Sequence, residues 1–157
     1  MKVKTELKYA VVFFIMTLIW MAGERILGLH STHIDKHPTY TNLYAIPSIL
    51  IYVLALLEKR RFYNGIMSYG QAFKSGLILT LFITILSPFA QYITSTYITP
   101  HYFENAINYS VTNGILTQEV AMATFNLNKY LFYSMVGAPV MGIVTTAVVA
   151  IFVKRSK

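Results

Sequence analysis

Glu24 and Arg25 interrupt an apolar run that starts at Tyr9 and continues to Leu29. Glu24 lies five residues from the end of that run, about 7 Å along a helix at ordinary rise. A carboxyl group at such a depth in an apolar span is costly unless it faces the bundle interior or a water-filled cavity, which makes it a candidate binding residue. Arg25 is long enough to reach outward and leave Glu24 to other partners. Polar groups recur at similar depth in three further apolar runs. Ser48 follows Pro47, Ser87 and Gln91 flank Pro88, and Ser134 precedes Gly137 and Pro139. Each proline removes a backbone hydrogen bond, and the freed carbonyl must be satisfied by a neighbour or by water. Glu24, Arg25, Ser48, Ser87, Gln91 and Ser134 together form a candidate binding layer around a hydrated pocket. The plainer alternatives are an interfacial Glu24–Arg25 anchor and proline kinks relieved by nearby hydroxyls.

The histidines suggest a second kind of chemistry. His30, His33 and His37 lie close together with Asp35, and His101 lies near Glu104. Imidazole and carboxylate suit zinc-like ions, so His30, His33, His37 and His101 are candidate metal ligands, although no standard zinc spacing is matched. The same cluster also suits a pH-responsive role, because histidine titrates near neutrality. No phosphate loop, dinucleotide fingerprint, nucleophile elbow or zincin helix is present, and no catalytic residue or cofactor is expected. The absence of cysteine excludes disulfides and thiolate metal sites.

The elements that must position these residues follow from hydropathy. The 157 residues make one domain, and 55% are hydrophobic against 12% charged. A soluble domain carries roughly 25% charged residues, and one this small has too little polar surface to cover so much apolar material. Four runs are apolar on every face, at residues 9–29, 41–57, 75–98 and 130–153. About 20 helical residues cross a bilayer, and barrel strands would alternate instead. An all-α, integral membrane four-helix bundle is therefore expected, with the second span the shortest.

Lys and Arg placement orients the bundle. Lys2, Lys4, Lys8, Lys59, Arg60, Arg61, Lys74, Lys154, Arg155 and Lys157 flank one side, against Lys36 and Lys129 on the other. Ten against two puts both termini and the 58–74 loop in the cytoplasm, leaving residues 30–40 and 99–129 outside. The net charge of +7 is thus dispersed in topology-setting clusters and forms no nucleic-acid stripe. Trp20-Met21-Ala22 is a poor signal-peptidase site, so the first run reads as a retained span.

Within 99–129, Pro100 favours a helix through Asn108 that ends at Asn113-Gly114. Thr117 caps a second helix with Glu119 in its first turn, and both would be amphipathic. Small residues at four-residue spacing, Ala72-Gly76-Thr80-Thr84 and Ala138-Gly142-Thr146-Ala150, mark helix-packing faces. Tyr40, Tyr44, Tyr97, Tyr102, Tyr109, Tyr130 and Tyr133 crowd the external side as an aromatic belt would, or as the lining for a headgroup.

Trp20, Glu24, Gly28 and His30, the stretch Ser68-Tyr69-Gly70-Gln71-Ala72-Phe73-Lys74-Ser75-Gly76, and Pro88 resemble a family of small bacterial inner-membrane proteins catalogued as a domain of unknown function. The likeness covers essentially the whole chain. It implies four spans and, through neighbouring lipid-linked glycosyltransferase genes, a place in envelope lipid or glycan metabolism; it assigns no site residues. The function expected is that of a non-enzymatic accessory or interaction subunit of the bacterial inner membrane. Membrane lipids, a second copy or another membrane protein would be its partners, with no role for nucleic acid. One alternative is a small oligomeric carrier or channel using Glu24 and the polar layer. Another is a lipid-acting or metal-dependent enzyme at the outer face.

Overall fold

A computed structural model describes residues 3–155, which leaves Lys2 and Lys157 of the charge argument outside the described residues. The chain is all-helical. Helix α1 is Lys4–Ile26, and Gly28 then turns the chain back with φ +74°. A continuous helical path follows: a 3₁₀ turn Ile34–Lys36, α2 His37–Tyr40, a second 3₁₀ turn Thr41–Tyr44, and α3 Ala45–Arg61. Helix α4 is Tyr69–Ile93 and ends in a π turn, Thr94–Ile98. Two short helices, α5 (Tyr102–Thr112) and α6 (Gln118–Thr124), precede α7 (Leu127–Val153).

Among the described residues, four helical paths are long and apolar enough to cross a membrane: Lys4–Ile26, Ile34–Arg61, Tyr69–Ile98 and Leu127–Val153. Large apolar side chains stay exposed along each of them, among them Ile15 and Ile19, Leu50 and Leu54, Leu81 and Ile85, and Val140 and Val144. Water would penalise those faces and lipid does not. The protein is a multi-pass membrane protein.

Local signals explain most boundaries. Ser68 and Gln71 form a reciprocal capping box that starts α4. Asn126 caps α7 by accepting from the Lys129 N–H, and Thr117 caps α6 by accepting from Val120. Helix α5 begins at Tyr102 and ends with Asn113 as its C-cap and Gly114 at φ +65°, at the expected Asn113-Gly114 stop. The second span also differs from expectation. Pro38 sits in the first turn of α2, and Lys59, Arg60 and Arg61 stay helical in the last turn of α3, where the helix dipole favours cations. The path therefore covers 28 residues, and residues 34–40 are helical where a polar loop was expected. Pro47 lies in the first turn of α3, so it breaks no bond within that helix; only Pro88 and Pro139 are internal.

Helix α4 is the hub, packing most extensively on α7 and next on α1. The two small-residue stripes meet face to face. A Cβ on Gly76 would lie 2.7 Å from Thr146 Oγ1, and one on Gly142 would lie 2.7 Å from Thr80 Oγ1 and from the Tyr52 hydroxyl. Tyr52 is bound to Thr80 Oγ1 at 2.9 Å, and the Thr80 hydroxyl also meets the Gly76 carbonyl of its own helix. Around this contact lies the main buried cluster, including Leu56, Met67, Leu79, Val149 and Ala150.

That cluster lies toward the end of the bundle carrying both termini, here the basic end. Polar groups lock the same end. Glu6 is 1% exposed, with Lys59 Nζ 2.7 Å from one oxygen and the Ser75 hydroxyl donating to it at 2.7 Å. Glu58 binds Lys8 and the Tyr9 hydroxyl, and Arg60 donates to the Val153 carbonyl. Met67 and Arg155 exchange two backbone hydrogen bonds, tying the loop after α3 to the chain end. Lys59 and Arg60, read from sequence as topology flanks, are thus also internal ties.

Gly76→Ala and Gly142→Ala should each lower stability by about 1–3 kcal/mol, the usual cost of overpacking. Thr146→Ala should recover part of the loss in the Gly76→Ala background but not in Gly142→Ala. Denaturant unfolding in detergent, run as a double-mutant cycle, checks this.

A candidate functional site at the histidine end

Glu24 is on the last full turn of α1, at the opposite end of the bundle from the termini. It is 3% exposed, so its charge needs partners within the protein. Trp20, one turn earlier on the same face, donates its indole N–H to Oε1 at 2.6 Å. His30 Nε2 lies 3.0 Å from Oε2, and His37 Nε2 lies 3.4 Å from the same oxygen. Gly28 makes this possible: its positive φ reverses the chain directly after α1, so His30 folds back over Glu24.

A second tier holds the imidazoles. The Asn105 amide of α5 donates to the His30 carbonyl at 2.9 Å. The Tyr102 ring packs edgewise against His30, at 5.1 Å between centroids, and at a tilt against His37, at 5.3 Å. Burial pushes the Tyr102 hydroxyl well above the ordinary tyrosine range, with Tyr130 beside it adding to the effect, so it stays a neutral phenol. Tyr102 in turn meets the Tyr130 hydroxyl at 3.2 Å, which links the site to α7. Glu24, His30 and His37 each offer one ligand atom within 4.8 Å of the others, close enough to share one ion.

The remaining candidates lie elsewhere. His33 is exposed and its Nδ1 sits 3.1 Å from the Leu27 carbonyl, near the end of α1. His101 is exposed beside Glu104 at 3.6 Å. Of the four histidines, these two lie outside the cluster, because the Gly28 turn folds only His30 and His37 over Glu24. Arg25 is exposed and donates to the Ile98 carbonyl at 2.6 Å, so it does not pair with Glu24.

Ser48, Ser87, Gln91 and Ser134 do come together. They line a cavity of about 480 Å³ between the four long helices. Its other walls are mostly apolar, with Phe13, Phe14, Ile83, Leu86 and Met141 among them, and Thr17 bound to the Tyr44 hydroxyl at 2.6 Å. Tyr52 and Gly142, with Ala10 and Thr145, line it on the side of the basic half. Exposed Ile49 on α3 and exposed Tyr133 and Met141 on α7 belong to the lining, so the cavity opens between those helices. The Ser87 hydroxyl reaches the Thr84 carbonyl, the one that Pro88 leaves without its usual donor, and also lies 3.0 Å from the Ser134 carbonyl of α7. Glu24 borders a separate apolar hollow of about 340 Å³ with Met16, Ile19, Leu27, Tyr40 and Leu43, so the expected single layer resolves into two sites.

Sequence reasoning overlooked the supporting roles of Trp20, Tyr102 and Asn105. The four-residue step from Trp20 to Glu24 was a readable signal for the first. The other two reach the site through tertiary packing alone.

Fold and site together define a small four-helix, multi-pass membrane protein with a buried carboxylate–imidazole cluster at one end. Residues 8–155 match the family described as "Protein of unknown function (DUF4199)", and the chain belongs to that family. No curated protein and no solved structure matches it.

Asn105→Leu should cost about 1 kcal/mol, the usual worth of one hydrogen bond. It should also speed amide exchange across residues 28–33, read by hydrogen–deuterium exchange, while α4 and α7 keep their protection.

Proposed function

We propose that the protein is a non-enzymatic, multi-pass protein of the bacterial inner membrane that holds an amphipathic lipid between its helices, as an accessory subunit in envelope lipid or glycan metabolism. The carrying observation is the cavity at Ser48, Ser87, Gln91 and Ser134. Its volume falls in the roughly 300–1,000 Å³ range of small-molecule sites. Its walls suit an acyl or prenyl chain, and its few hydroxyl and amide groups suit a polar end. It opens sideways, between α3 and α7, toward the place lipid would occupy.

Holding is favoured over conduction, the role of a carrier or channel. The interlocked Tyr52–Thr80–Gly142 contact and the main buried cluster, with Leu56, Leu79 and Val149, lie between the cavity and the basic end. A path to the basic end would have to part α4 from α7. The basic loop supports the accessory role, since Arg61 and Lys74 remain exposed there for a partner or for anionic headgroups. The lysine and arginine distribution supports cytoplasmic termini and an outward-facing histidine end.

Native mass spectrometry of protein extracted in mild detergent should find one co-purifying lipid per chain. Ala138→Phe, which fills the cavity from α7, should remove most of it without lowering the melting temperature. An empty wild-type protein, or lipid retained unchanged by the filled variant, would refute the reading. Orientation has its own test, helped by a cysteine-free background. Asn108→Cys should react with an impermeant maleimide on intact cells, whereas Phe62→Cys should react only after the inner membrane is opened.

A further inference from the structure

We propose that Glu24, His30 and His37 bind a divalent transition-metal ion of the zinc class. This does not depend on the lipid reading, because none of the three lines the cavity at Ser87, and Glu24 borders a different hollow.

Three observations carry it. First, the donor set is right: two imidazoles and one carboxylate are the ligands that zinc-like ions take, and three protein ligands leave a position for water or an oxygen of a bound molecule. Second, the spacing is right. Metal–ligand bonds of about 2.05 Å place neighbouring donors about 2.9 Å apart in octahedral and about 3.3 Å apart in tetrahedral coordination. The His30 and His37 Nε2 atoms lie 3.0 and 3.4 Å from Glu24 Oε2. Third, the ligand atoms already converge. Both imidazoles present Nε2 to one and the same carboxylate oxygen, and the three ligand atoms lie within 4.8 Å of one another. A buried carboxylate facing two imidazole nitrogens in a site this dry suits a cation placed among them.

The surroundings are those of a preorganised site. The indole N–H of Trp20 occupies Glu24 Oε1 and leaves Oε2 for the ion, an orienting contact of the kind metal-bound carboxylates receive. Asn105 fixes the backbone at His30, and the Tyr102 ring restrains both imidazoles. A position facing acyl chains would need none of this.

The test uses full-length protein without a polyhistidine tag, in phosphate-free detergent buffer, with Zn²⁺ and Ni²⁺ as probes. Elemental analysis after Zn²⁺ loading and desalting should find one ion per chain. Trp20 is the only tryptophan, so Ni²⁺ should quench its emission to saturation at one equivalent, and Zn²⁺ should reverse the quenching. His37→Ala and Glu24→Gln should weaken binding by more than about 100-fold, beyond the 10–100-fold typical of losing an orienting contact. Trp20→Phe, followed by elemental analysis, should fall within that smaller range. His33→Ala and His101→Ala should bind like wild type. No stoichiometric Zn²⁺ at micromolar concentration would overturn the proposal, as would Zn²⁺ binding that leaves Trp20 emission unaffected by Ni²⁺. Folded His37→Ala and Glu24→Gln proteins with wild-type affinity would do the same, and would leave a hydrogen-bonded cluster only. The Trp20 measurement needs no variant, so misfolding of a mutant cannot mask the outcome.

Discussion

The close approach of α4 and α7 is the constraint on which the rest of the structure depends. In a bilayer, apolar surface gains nothing by leaving lipid for protein, so helices associate through tight van der Waals contact and a few shared polar groups. Gly76 under Thr146 and Gly142 under Thr80 supply the contact, and the Tyr52–Thr80 pair supplies the polar link to α3. Farther along, Ser87 of α4 still reaches the Ser134 carbonyl of α7 at 3.0 Å. The cavity lies beside that contact, lined by all four long helices.

Helix α1 is held differently. Its flank is largely apolar and exposed, at Val11, Ile15 and Ile19 among others. What fixes it is an acid near each end: Glu6 buried against Lys59 and Ser75, and Glu24 buried against Trp20, His30 and His37. A buried carboxylate tolerates little displacement from its partners, because an uncompensated charge in the interior costs several kcal/mol. The two glutamates therefore act as end pins. The pin at the histidine end is made from side chains that also have a ligand-binding vocabulary, so structure and chemistry coincide there.

Features set by short-range periodicity were legible in the sequence. The Ala72-Gly76-Thr80 and Gly142-Thr146-Ala150 rows step by four, and they meet because a step of four keeps residues on one helical face. Caps at Ser68, Thr117 and Asn126 act over three residues, and Thr117 ahead of Glu119 was read as one. The depth of Glu24 could be read from rise per residue, but its partners could not. Which two of four histidines turn inward depends on the backbone at Gly28 and on Tyr102 and Asn105, which arrive from a helix more than sixty residues later. Glu6 was hidden for a different reason. It sits between Lys4 and Lys8, in a segment whose charge pattern already had a sufficient explanation as a membrane flank, and only the fold reveals Lys59 and Ser75 above it. Pro47 looked equivalent to Pro88 and Pro139, yet its place in the first turn of α3 makes it harmless.

Dense packing at one end and a half-open space at the other give the molecule unequal mechanical compliance. Side squeeze applied at the level of Gly76 and Gly142 meets interlocked backbone and threonine. The same squeeze at the level of Ser87 and Ser134 meets a gap that α3 and α7 can narrow by leaning together. Changes in acyl-chain crowding, or hydrostatic pressure, act first on such voids. The two leaflets would therefore be sensed unequally, with the one around the histidines setting how wide the gap stands.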